Sequence, residues 1–122
     1  MSGNSLVLDT NIALYLLNGD EELSTLLRHR KLYISFITQI ELLGFRGITP
    51  SQQIQIKKFI DDCIIIDLNE EIKNRVVELR KSTKLKIPDC FVLATSAFLN
   101  IPLITADKDL SISNFEIIIY EY

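Results

Sequence analysis

The sequence predicts an α/β protein, a three-layer α/β/α sandwich with a mainly parallel central sheet. Short apolar runs of strand length recur along the chain: Leu6 to Leu8, Leu32 to Ile34, Cys63 to Ile66, Leu103 to Thr105 and Phe115 to Tyr120. Between them lie longer stretches whose apolar residues repeat at helical spacing. Strands that alternate with helices imply parallel pairing with helices on both faces of the sheet. The chain has 122 residues, 48% of them hydrophobic and 24% charged, enough for a single domain over residues 1–122 to bury its own core.

Each element has local reasons to form. Leu6 to Leu8 is the first strand, and Thr10 or Asn11 can cap the helix through Ile12 to Leu17. Asn18-Gly19 ends it with residues that tolerate a left-handed cap. Asp20 opens a second helix with Glu21 and Glu22 in its first turn and Arg28, His29 and Arg30 in its last, a polarity that suits the macrodipole. After the second strand, Ser35 turns the chain into a helix over 36–46 with Ile37, Ile40, Leu42 and Leu43 on its apolar side. Thr49 and Pro50 then read as N-cap and first residue of a helix reaching Asp62. Asn69 caps an amphipathic helix with Ile72, Val76 and Leu79 on one face, and Ser82 to Ile87 reads as a loop. Pro88 opens a helix to Leu99 that is apolar nearly all round and is expected to be the most buried. Ala106 to Asp109 reads as a loop or single turn, and Ser111 to Asn114 as a connection.

Composition excludes several classes. Net charge is −3, without the basic excess of a protein held to nucleic acid mainly through phosphates. Any such role must rest on a local site, a metal or a partner's surface. Cys63 and Cys90 form neither a CxxC pair nor a zinc spacing, and they read as reduced, buried thiols. His29, the single histidine, sits among basic residues at a helix end. There is no signal-peptide pattern and no apolar run near the ~20 residues of a spanning helix, so the expected location is the cytoplasm.

Four acids stand at unusual places. Asp9 ends a strand, Glu41 lies beside an apolar helical stripe, Asp89 begins an apolar helix, and Asp107 follows a strand, with Asp109 its rival two positions on. Each alone has an ordinary explanation as cap, solvated helix acid, first-turn acid or turn residue. In a parallel sheet, however, Asp9 and Asp107 share the carboxyl edge where ligands bind, and a helix entering there presents Asp89 as well. Crowded carboxylates raise one another's pKa and are stabilised by a cation, and an all-oxygen set favours Mg²⁺ or Mn²⁺.

The stretches Leu8-Asp9-Thr10-Asn11, Thr38-Gln39-Ile40-Glu41-Leu42, Ile87-Pro88-Asp89-Cys90 and Leu103-Ile104-Thr105-Ala106-Asp107-Lys108-Asp109 resemble the motifs of PIN-domain ribonucleases. In order, spacing and length the chain is similar to the VapC toxins of toxin–antitoxin pairs. The resemblance implies an acidic quartet of Asp9, Glu41, Asp89 and Asp107 around Mg²⁺ or Mn²⁺, with Asn11 and Thr105 steadying it. It also implies a homodimer, an RNA substrate and a small antitoxin protein as partner. The sequence departs from the family pattern at Leu110, where an aromatic is frequent, and at Cys90, where Ala is frequent.

The reaction so implied is metal-assisted hydrolysis of an RNA phosphodiester. Asp9, Asp89 and Asp107 are expected to hold the metal, and Glu41 to position or deprotonate water or to serve as a further ligand. Two other readings compete. A phosphatase with Asp9 as nucleophile would carry a second acid two positions on, where Asn11 stands. A catalytically silent module that binds RNA or a partner would lack one of the acids. Serine-hydrolase and nucleotide-binding fingerprints are absent. Arg46, Lys84, Lys86 and Lys108 lie near the motif acids as candidate phosphate contacts.

Overall fold

The computed structural model describes residues 4–112 and 114–121; Met1 to Gly3, Ser113 (within the expected 111–114 connection) and Tyr122 lie outside the described residues. Five strands, β1 (Ser5–Leu8), β2 (Lys31–Ser35), β3 (Ile64–Ile66), β4 (Leu103–Thr105) and β5 (Ile117–Ile119), form one sheet in the order β3-β2-β1-β4-β5. Every pairing among them is parallel. The helices are α1 (Thr10–Leu17), α2 (Glu21–Leu27), α3 (Phe36–Leu43), α4 (Pro50–Asp61), α5 (Glu70–Ser82) and α6 (Ile87–Leu99), with a 3₁₀ turn at Lys108–Leu110.

Alternation along the strands divides the core in two. Leu6 and Leu8 of β1 and Ile104 of β4 join Ile12, Leu23 and Leu42 on one face. Val7 and Leu103 point the other way, to Ile72, Val76 and Leu93 of α5 and α6. A parallel sheet covered on both faces needs apolar residues of both parities, which explains the unbroken runs of the sequence. The expected three layers are present. α6 is the most buried helix, with Cys90 and every residue from Val92 to Ser96 inside.

The caps mostly follow the sequence. Asp20 accepts from Leu23 N–H at 3.0 Å, Asn69 from Ile72 N–H at 2.9 Å, and Thr49 with Gln52 closes a reciprocal capping box. Gly19 adopts φ +91, which a residue with Cβ rarely does. At the other caps the chain departs from expectation. Asp9, rather than Thr10 or Asn11, caps α1. α2 stops at Leu27, because the chain must reverse within three residues for Lys31 N–H to reach the Asn4 carbonyl at 2.6 Å. His29 makes that reversal at φ 65, so the basic triplet is a turn and not a last helical turn. α3 ends at Leu43 with Gly44 as cap, short of residue 46.

Candidate active site

The strand order reverses direction at β1, whose neighbours are β2 on one side and β4 on the other. Helices leave such a point on opposite faces, so a crevice opens beyond the strands' carboxyl ends. Asp9 stands there, one residue past β1, and is only 7% exposed. Its Oδ1 accepts from Thr10 N–H at 2.8 Å. Its Oδ2 accepts from the Thr105 hydroxyl at 2.7 Å. Thr105 ends β4, is fully buried, and its oxygen in turn accepts from Asp107 N–H at 3.0 Å. One hydroxyl therefore ties the acid of β1 to the backbone that carries the acid of β4. Each Asp9 oxygen keeps a further lone pair for another donor or an ion.

Glu41 comes from α3, packed beside α1. Its Oε1 lies 2.6 Å from Thr10 Oγ1, which is itself 3.0 Å from the buried Thr38 Oγ1. A hydroxyl has one proton to give, and a carboxylate is the stronger acceptor. Thr10 thus donates to Glu41 and takes the Thr38 proton. Thr38 and Glu41 are three apart on one helix face, a spacing that could have marked Thr38 as a site residue. Neither Thr38 nor the bridging role of Thr10 emerged from the sequence.

Asp89 occupies the first turn of α6, where Pro88 supplies the fixed φ of a helix start. Asp107 caps the 3₁₀ turn, its Oδ1 accepting from Asp109 N–H at 2.9 Å. Asp9, Asn11, Glu41, Asp89 and Asp107 all line one cleft of about 280 Å³, with Leu14, Phe45 and Val92 as its apolar wall. Asp109 is exposed and is not among the cleft residues, so the geometry favours Asp107 as the acid that faces inward. A larger hollow of about 520 Å³ runs along α5 to Phe115, but its two acids, Glu71 and Glu78, both come from α5, and Glu71 is paired with Arg75 at 3.1 Å.

Burial is the main cause of a raised Asp9 pKa, opposed by the Thr105 and Thr10 hydrogen bonds and reinforced by the charges of Asp107 and Glu41. Asp89 is raised as well, again first by burial and then by Asp9, Asp107 and Glu41, while Lys86 opposes the shift. The two cysteines lie elsewhere and are free; burial pushes the Cys63 thiol up to about 12.

The donor set fits a hard divalent cation: four carboxylates around one cleft, with neither histidine nor cysteine lining it. Among the described residues, no three Asp, Glu, His or Cys side chains are grouped closely enough to hold an ion as they stand. The mutual charge of Asp9, Asp107 and Glu41 adds to burial in raising Asp9 and Asp89.

The PIN domain model matches residues 6–115, a span that contains every acid of the cleft. Among solved structures, a chain of a toxin–antitoxin complex from Klebsiella pneumoniae is 30% identical, with 93% of this chain and 95% of that one covered at a TM-score of 0.80. VapBC-1 from nontypeable Haemophilus influenzae is 25% identical over 94% and 97% of the two chains, with a TM-score of 0.76. VapBC2 from Rickettsia felis, bound to a DNA fragment from its promoter, shares the fold at a TM-score of 0.81 and 19% identity, over 96% and 99%. No curated protein matches the chain in sequence. With the family model spanning nearly its whole length, this chain belongs to the PIN domain family.

Proposed function

We propose that this protein is a metal-dependent endoribonuclease and the toxin of a toxin–antitoxin pair, with Mg²⁺ or Mn²⁺ as its cofactor. The observation that carries the reading is the cleft itself: Asp9, Glu41, Asp89 and Asp107, from four separate parts of the chain, line one cavity at the switch point of a parallel sheet. Asp9, Asp89 and Asp107 would hold the ion. When bound, it would supply Lewis acidity at the phosphoryl group and make water more acidic.

The chain's own residues do the rest. Thr105 fixes Asp9 and, through Asp107 N–H, the approach of the second acid. Thr10 fixes Glu41, which stands at the exposed side of the cleft and accepts the proton of an entering water. Leu14, Phe45 and Val92 wall the cleft with apolar surface and limit bulk water. Partnership with a small antitoxin rests on the likeness to chains solved as toxin–antitoxin complexes. Pairing into a homodimer rests on the family resemblance, and the exposed Ile40 and Leu43 of α3 offer it apolar surface. No helix among the described residues is long and apolar enough to cross a membrane.

The test is cleavage of total RNA by the purified protein with Mg²⁺ or Mn²⁺, against an EDTA control. Asp9→Asn is expected to abolish cleavage while far-ultraviolet circular dichroism stays unchanged. Full activity in that variant would overturn the assignment.

A further inference from the structure

The residues between Glu78 and Asp89 include Arg80, Lys81, Lys84 and Lys86 and no acid, in a chain whose net charge is −3. The ion pairs found among the described residues are Lys73 with Glu70, Arg75 with Glu71 and Lys108 with Glu121, and none involves this segment. Its connection between α5 and α6 is short and cross-braced. Thr83 Oγ1 donates to the Leu79 carbonyl at 2.7 Å and accepts from Leu85 N–H at 3.2 Å. Arg80 Nη1 donates to the Leu85 carbonyl at 2.6 Å. The Leu85 side chain packs into the core beneath α5 and α6.

Leu85 is thus held at its N–H, its carbonyl and its side chain. Pinning it inward turns both flanking residues, Lys84 and Lys86, out to solvent. The chain around them is extended, with Thr83 and Lys86 both in the β region. Residues two apart in extended chain stand roughly 6–7 Å from each other on the same side. That is of the order of the separation of neighbouring phosphates along a single strand. Lys86 caps α6, and Asp89 of the cleft lies within that helix's first turn.

We propose that Lys84 and Lys86, held outward by the braced Leu85, form a cationic track that carries the phosphate backbone of a single-stranded RNA into the acidic cleft. Arg80 serves as the brace, its Nη1 donating to the Leu85 carbonyl. The track offsets the repulsion that an acidic protein with an acidic cleft exerts on its polyanionic substrate. It deepens the nuclease reading and rests on it for the identity of the strand.

The test is fluorescence anisotropy of a short labelled single-stranded RNA with the full chain in EDTA, over a range of salt concentrations. Each phosphate contact to a single strand contributes a slope of about −0.7 in log K against log salt. The variant carrying Lys84→Ala and Lys86→Ala is expected to show a slope shallower by about 1.4 and binding weaker by roughly 25-fold at ~0.1 M salt. A control carrying Lys57→Ala and Lys58→Ala on α4 is expected to match the unsubstituted protein. An unchanged slope in the Lys84/Lys86 variant, or an equal change in the control, would overturn the track. Cleavage of the same RNA with Mg²⁺ is scored separately. Cutting without the slope change overturns the track alone, and the slope change without cutting upholds the track while overturning the nuclease reading.

Discussion

Thr105→Val removes a single buried hydroxyl from beneath Asp9 and leaves the side chain's shape nearly intact. That hydroxyl donates to a buried carboxylate at 2.7 Å and accepts from Asp107 N–H at 3.0 Å. A hydrogen bond to a charged group contributes about 1.5–3 kcal/mol, and the orphaned amide adds up to about 1 kcal/mol. The expected loss is therefore about 2–4 kcal/mol at neutral pH. At roughly 4 °C per kcal/mol for a chain of this size, the Tm falls by about 8–16 °C. Thr105→Ser keeps the hydroxyl and loses one methyl, worth about 0.8 kcal/mol. Scanning calorimetry in EDTA separates the two. The deficit of the valine variant also narrows as pH falls, because the hydroxyl favours the ionised form of Asp9 and has less to stabilise once Asp9 is protonated. A deficit under 1 kcal/mol, or one that is the same at every pH, would refute the claim that Thr105 acts through the Asp9 charge.

The remaining predictions concern charge and thiol chemistry. Asp9 and Asp89 are raised in the folded state above the ordinary aspartate value of 3.8, so their contribution to stability is fully present below 3.8 and is lost as pH rises through the folded values. Metal-free protein should accordingly gain from these two groups, in thermal melts, as pH is lowered from neutral toward that window. A Tm independent of pH there, once Asp9→Asn and Asp89→Asn are compared, would contradict it. Divalent cation should restore stability at neutral pH, by about 2.7 kcal/mol at a concentration one hundred times its Kd. With its thiol pushed up to about 12, Cys63 has almost no thiolate at pH 8. Native protein should resist iodoacetamide there and alkylate at both cysteines after unfolding, as mass spectrometry would show.

Much of the architecture was legible because the parallel sheet needs apolar residues on both faces, and Leu6-Val7-Leu8 or Leu103-Ile104 cannot hide that requirement. Helix starts were legible where a capping side chain reports its own job, as at Asp20, Thr49 and Asn69. Helix ends were less so. The stop of α2 at Leu27 is imposed by the pairing of Lys31 with Ser5, a tertiary demand that composition at Arg28 to Arg30 does not display. Asp9, Asp89 and Asp107 could be linked because strand ends and helix starts share one edge, whereas Glu41, inside α3, joined them only through the resemblance to PIN-domain motifs. The choice of Asp107 over Asp109 needed coordinates, since it depends on which way a single 3₁₀ turn faces. The link from Thr10 to Thr38 and Glu41 was not legible for another reason: hydroxyls that join α1 to α3 leave no periodicity behind.

The union of β1 with β4 also sets a timetable. Asp9 and Thr105 are 96 positions apart, and nearly the whole chain must be present before they can meet. β1 can pair with β2 early, through contacts of short sequence separation, but the pairing of Leu8 with Ile104 closes the longest loop of the sheet. Closures of that kind come late and slowly, and chains emerge from synthesis N-terminus first. A chain released short of β4 would keep Asp9 and Glu41 yet lack the hydroxyl and the acid that complete the cleft. The acid-lined cleft is therefore completed last, once β4 is in place beside β1.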